Sequence, residues 1–256
     1  MNKYKFFISL VFSFTIILIG GFLFIYKATP GQNPDASLVS SVAEKLELKK
    51  QEILHKITLK KDSDSKKTTP NQITKARMQT AFFELYKNID FFESENLEKA
   101  VFEELLMDSN NLDFSVEILL DNKKTVLQFG DKQAEMRAYS VKFLSYAAST
   151  GNIEPLEVVI RSLYTQMKKN GETINGQYLD LEESVFALCQ NLGVSSPEVS
   201  IKEVFERFNI VDNQLLSSNE RATLQAFAAG VSIGFKDKMP WSSINKFLIE
   251  NFPYSL

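Results

Sequence analysis

The stretch Phe6–Tyr26, FFISLVFSFTIILIGGFLFIY, runs for 21 residues without a charge, with Lys3 and Lys5 before it and Lys27 after it. At 1.5 Å of rise per residue, a helix of that length spans about 30 Å, the hydrocarbon thickness of a bilayer. No water inside lipid satisfies the backbone amides, so a segment placed there folds as a helix. These residues predict a transmembrane helix at 6–26 and a short cytoplasmic N-terminus at 1–5.

A cleaved secretory signal is the competing reading. It needs an apolar region of about 7–15 residues and then a small-x-small site. Here the apolar region is longer, and Tyr26-Lys27-Ala28 puts a tyrosine where a small residue belongs. An uncleaved signal-anchor is therefore expected. Lysines precede the stretch more densely than they follow it, which sets the N-terminus inside and the body outside. That predicts a single-pass protein of the cell (inner) membrane with a periplasmic or other extracytoplasmic domain. Gly20-Gly21 offers two such helices a place to approach, although it is not a small-xxx-small motif.

The charge is unevenly spread. Residues 1–75 carry 12 Lys/Arg against 6 Asp/Glu, whereas the whole chain has 29 against 32, so the remainder is acidic by nine. An acidic body argues against a nucleic-acid partner, which needs a basic face. A single cysteine, Cys189, excludes an intrachain disulfide framework and any zinc site built from cysteines.

Residues 27–70 read as a linker. Pro30, Gly31 and Pro34 make a hinge, and a short basic helix follows in SLVSSVAEKLELKKQEILHKITLKK. Val39, Val42, Leu46, Ile53 and Ile57 fall near heptad spacing with Lys49 interrupting the seam, so self-association through anchor and linker is a further expectation. The lysines from Lys45 to Lys67 read as a solvated face, with attraction to anionic headgroups as the alternative.

The rest, 71–256, reads as one all-α domain. Helical spacing predicts ITKARMQTAFFELYKNI after Asn71, SENLEKAVFEELLMD from Ser94, and KQAEMRAYSVKFLSYAAST up to Gly151. NIEPLEVVIRSLYTQMKKN follows and ends at Gly171, with Asn152 as its cap and Pro155 in its first turn. LDLEESVFALCQNL, SPEVSIKEVFERF, SNERATLQAFAAGVSIGF and WSSINKFLIENF complete the set. DFSVEILL and Lys124–Phe129 fit either a helix or a strand. The helices group as antiparallel pairs at about 72–107, 131–170, 178–208 and 217–252.

The first helices of the last three pairs align loosely as Arg137-Ala-Tyr-Ser-Val-Lys-Phe-Leu, Glu182-Glu-Ser-Val-Phe-Ala-Leu and Glu220-Arg-Ala-Thr-Leu-Gln-Ala-Phe, with starts 45 and 38 residues apart. On these residues the body resembles HEAT-like or tetratricopeptide-like helical-repeat proteins, whose units run about 34–47 residues. The tetratricopeptide pattern of Trp, Gly, Tyr and Pro is absent. What the resemblance implies is a superhelical array of hairpins whose groove binds another polypeptide.

Catalytic groups are few. His55 is the only histidine and falls on the linker helix as an exposed residue, which leaves no Ser-His-Asp, Cys-His or histidine-metal site in the body. Cys189, between Leu188 and Leu192, reads as a buried thiol. Glu182-Glu183-Ser184 resembles the Glu-Ser of lytic transglycosylases, but their Gly-Leu-Met-Gln-like segment is missing downstream. The plain reading of the two acids is the first turn of a helix, and Glu103-Glu104 reads as the wet side of another. Asp121, Asn122 and Asp131 lack calcium-loop spacing, and Gly176 and Gly193 are turn glycines. Trp241 reads as a lid over the core, with an exposed partner anchor as the alternative.

The sequence thus predicts a membrane-anchored, extracytoplasmic helical scaffold that binds another protein without catalysis. It names no catalytic, cofactor-binding or metal-ligating residue and no cofactor. A small-ligand or sensor domain is the alternative, and a cell-wall-acting enzyme using paired carboxylates is a weaker one.

Overall fold

The computed structural model describes residues 44–57, 70–89, 94–193, 197–210 and 216–252. The apolar stretch 6–26, the linker prolines Pro30 and Pro34, and the seam residues Val39 and Val42 lie outside the described residues. Among the described residues no helix is long and apolar enough to cross a membrane, and every regular element is helical. The chain divides into two compact units, Met1–Leu48 and Lys49–Leu256. Of the first, residues 44–48 are described, and they are helical.

The second unit contains most of α1 (44–57), then α2 (Pro70–Lys87), α3 (Ser94–Leu106), α4 (Asn110–Leu120) and α5 (Asn122–Phe129). A 3-10 turn at Gly130–Lys132 leads to α6 (Gln133–Ser149), α7 (Glu154–Asn170) and α8 (Gln177–Asn191). The last elements are α9 (Pro197–Arg207), α10 (Ser218–Phe235) and α11 (Trp241–Asn251).

Residues 49–57, which the spacing assigns to the linker, fall within the compact unit. The reason is the apolar pair one turn apart: Ile53 and Ile57 are 0% and 1% exposed. Lys56 on the same helix donates to Glu84 of α2 at 2.9 Å. A seam that suggests pairing between copies is in this part covered by the chain itself.

The two ambiguous segments are both helices. In α4 Leu112, Ser115, Ile118 and Leu119 are buried, a helical and not an alternating period. The side chain of Asn111 donates to Leu105 O at 2.6 Å and closes the end of α3. Asp121 starts α5 by accepting from Lys124 N at 3.0 Å, and buried Thr125 donates to Ile118 O at 2.8 Å.

Helices α6, α8 and α10 lie side by side in that order, as the aligned segments suggest. Their partners do not repeat. Helix α7 packs against α4, α6, α8 and α10, and its stripe Leu156, Val159, Ile160, Leu163 and Met167 is entirely buried. Helix α9 rests on α11, where the 178–208 pairing would have set it on α8. Its aromatic face decides this: Phe205 stacks on Phe252 with ring centroids 3.9 Å apart, and both Phe205 and Phe208 meet Phe227 of α10 at 5.2 and 5.6 Å. A second aromatic cluster joins α2, α3 and α6 through Phe82, Phe102, Tyr139 and Phe143.

The tightest contact is α8 against α10. A methyl group added at Gly230 would lie 2.4 Å from Glu182 O, and one at Gly234 would lie 2.5 Å from Cys189 Cβ. Glycine at both positions lets the helices touch backbone to backbone. Gln190 Nε2 donates to Gly234 O at 2.9 Å, and Lys238 Nζ donates to Cys189 O, Gln190 O and Leu192 O at 2.8, 2.6 and 2.8 Å. A cation on the last carbonyls of α8 also complements the negative end of its dipole.

Opposing effects make Gly230→Ala informative. Alanine is a better helix former by about 1 kcal/mol, but here its methyl meets backbone that has nowhere to go. We expect a net loss of about 1–3 kcal/mol for Gly230→Ala, read by chemical unfolding of the full-length protein. Gly193→Ala, whose methyl meets nothing within 4 Å, should stay within about 0.5 kcal/mol of the parent.

Candidate functional site

Helices α3 and α8 both pack on α6, and the face of α6 between them forms the floor of a groove of about 780 Å³. Ala138, Val141, Ser145 and Ser149 supply that floor at intervals of three to four residues, so they line one side of the helix. The floor is about 16 Å long, eleven steps of about 1.5 Å from residue 138 to residue 149. Phe102 on α3 and Phe186 on α8 line it as apolar walls, with Ala187 beside Phe186. Small side chains below and aromatic walls beside are what a bound helix or ligand requires for close approach.

The position of α8 depends on a buried ion pair beneath the groove. Arg137 of α6 is 2% exposed and Asp180 of α8 is 5% exposed. Arg137 Nε donates to Asp180 Oδ2 at 2.7 Å and Nη2 lies 2.6 Å from the same oxygen. The remaining nitrogen donates to Gln133 Oε1 at 2.8 Å and to Asn175 O at 2.9 Å. Gly176 follows with φ of +94°, and an added Cβ there would lie 2.9 Å from Arg137 Nη2, so only glycine suits this turn. Burial pushes the Asp180 carboxyl above its ordinary value while Arg137 pulls it down. Glu172 caps the start of α8, accepting from Gly176 N at 2.7 Å and Tyr178 N at 3.3 Å.

The groove carries three acids and two lysines: Glu95, Glu98, Glu183, Lys99 and Lys142. Lys142 is already engaged, 2.7 Å from Glu98 and 5.0 Å above the Tyr139 ring. Tyr146 donates to Glu103 at 3.1 Å, and burial together with Glu103 holds its phenol above the usual range. Glu183 is different. It is half-buried, it accepts no hydrogen bond among the described residues, and burial, then Asp180 and Glu182, push its carboxyl up against the weaker pull of Lys142 and Arg137.

The residues singled out by sequence fall elsewhere. His55 is exposed on α1. Cys189 is fully buried, and burial drives its thiol far up, so it is inert. Glu182 and Glu183 are in the second turn of α8, not the first, because the helix begins at Gln177 and Asp180 is its first-turn acid. Glu183 lines the groove, whereas Ser184 is fully buried and does not. Glu104 pairs with Arg77 of α2 at 2.6 Å. Asp121 caps α5, Asn122 donates to Thr173 at 2.6 Å, and Asp131 is exposed in the 3-10 turn. Trp241, at the start of α11, is 53% exposed, more open than a lid closed over the core. Among the described residues no group of three His, Cys, Asp or Glu side chains is placed to hold a metal ion.

Sequence reasoning missed the Arg137–Asp180 pair and the place of Glu183. A signal existed for the first: Arg137 shares the helical phase of Ser140 and Leu144, so an arginine on that stripe needs a buried partner. For Glu183 the helical phase alone could not separate a groove from open solvent.

Two outcomes follow. Arg137→Met leaves a buried carboxylate unpaired and should cost about 3–5 kcal/mol, much of it recovered in Arg137→Met/Asp180→Leu, as read by urea unfolding. For Glu183 the folded state holds its proton more tightly than the unfolded chain does. Its contribution is therefore favourable at acid pH and is lost as pH rises through the raised folded value. Glu183→Gln, which does not ionise, should raise the thermal midpoint at pH 7 and give no gain at about pH 3.5, below the ordinary carboxylate range.

No family model matches the chain, and neither the curated proteins nor the solved structures contain a match.

Proposed function

We propose that this protein is a membrane-anchored helical scaffold whose α3–α6–α8 groove binds another protein without catalysing a reaction. The observation that carries the reading is the groove itself: about 780 Å³, with small side chains on its floor and Phe102 and Phe186 in its walls. The charge-free stretch 6–26 supports an anchor in the cell membrane, and the lysines flanking it support a body on the periplasmic or extracytoplasmic side. The stacking of α6, α8 and α10 supports a repeat-like array. A small-ligand sensor would use an enclosed cavity, and the groove is not one.

Cleavage of a wall polymer by paired carboxylates is the second reading, and one observation favours it. Glu183 is half-buried, unpaired and held above the usual carboxylate range, the condition of a proton donor. Against it, Glu98 is tied to Lys142 at 2.7 Å, the remaining groove acid Glu95 is exposed on α3, and Ser184 is fully buried.

The test is cross-linked capture of the full-length protein from its native membranes, with Ser145→Arg placed in the floor. The partner band should fall at least tenfold in that variant and persist in Leu127→Arg, a change at a position 87% exposed on α5. A partner captured equally by both places the binding element outside the groove. Release of soluble fragments from purified wall polymer, abolished by Glu183→Gln, would establish the enzyme instead.

A further inference from the structure

Resting on the docking reading above, we propose that the groove takes an amphipathic helix from another protein, and that this helix sets a lysine or arginine against Glu183. Three faces, one from each helix, meet the occupant at intervals of three to four residues. The floor is about three helical turns long, about 16 Å. Among the described residues no strand offers an edge to which an extended peptide would add, and the helical spacing of the lining favours a helix in the groove. Ala138, Ser145 and Ala187 let the incoming backbone come close, and Phe102 and Phe186 flank its apolar stripe.

Charge identifies the occupant further. With three acids against two lysines the groove is negative by one, and Lys142 spends its charge on Glu98 at 2.7 Å. Glu183 is left as a carboxylate half out of water with nothing donating to it. An apolar occupant alone would strip away its remaining water and leave it unpaired, which opposes binding. A cationic side chain at the same place turns that cost into a charge-assisted contact. A groove negative by one gives anionic headgroups no charge-assisted hold, which favours a basic helix over a lipid surface.

The experiment uses the full-length protein in phosphatidylcholine nanodiscs. A display library of helix-forming 14-residue peptides is selected on it, after counter-selection on empty discs. The expected pool is enriched in Lys or Arg at one position between apolar residues. A selected peptide should bind at least tenfold more tightly than its Lys→Glu counterpart. Glu183→Gln should reduce that preference to threefold or less, and Ser145→Arg should abolish binding. Peptides that Ser145→Arg blocks but that show no basic position, or whose preference survives Glu183→Gln, overturn the role of Glu183 and leave the docking reading standing. A pool indifferent to Ser145→Arg overturns both, and an empty pool overturns the helix proposal while the membrane capture still tests the docking reading.

Discussion

The backbone-to-backbone crossing of α8 and α10 fixes the rest of this domain. Gly230 and Gly234 remove the two methyl groups that would hold the helices apart. Lys238 and Gln190 then lock the register through four bonds to backbone carbonyls. Each such bond is modest, but removal of Lys238 would strand several carbonyls at once. With its C-terminal half held this way, α8 has one rotation left to it. That rotation sets Asp180 and, three residues on, Glu183 on the side of α8 toward α6, with Asp180 buried on Arg137 and Glu183 half-buried in the groove.

Helix α6 serves two sides. Met136, Tyr139, Ser140, Phe143, Leu144 and Ala147 are buried against the neighbouring helices and the aromatic cluster. On the remaining face, Ala138, Val141, Ser145 and Ser149 line the groove, and among the described residues no helix fills it. A fold selected only for stability would fill that space or cover it with charge, since burying apolar area is what holds a domain together. Instead the space keeps aromatic walls and an unpaired carboxylate. Uncompensated groups of that kind concentrate where a protein meets something else.

Much of the fold was legible from residue spacing. The stripe of α7 ending at Gly171, and α3 with Leu97, Val101 and Leu105, follow from helical periods, and the structure places them there, although Ile153 and not Asn152 precedes the first turn of α7 and no side chain caps it. Serine opens α10 as read, although the capping residue is Ser217, one position earlier, in a reciprocal box with Glu220. What spacing could not give was tertiary. Phe205 and Phe208 look equally apolar whether α9 sits on α8 or on α11. Gly230 and Gly234 read as weak helix residues until the partner backbone is beside them. The groove was invisible for the same reason, since Phe102 and Phe186 are 84 residues apart and only the packing of α3 and α8 on α6 brings them to one groove.

The central claim of the proposed reading is that another protein covers the face of α6 in the cell. The buried Cys189 makes this directly measurable, because it leaves no reactive native thiol. A cysteine placed at Ser145 would be labelled by a maleimide in intact native membranes and again after purification, with Leu127→Cys as the exposed control. The account predicts that the Ser145 position labels at least tenfold more slowly in membranes than after purification, while the control labels equally in both. Equal labelling at Ser145 in both states would contradict it.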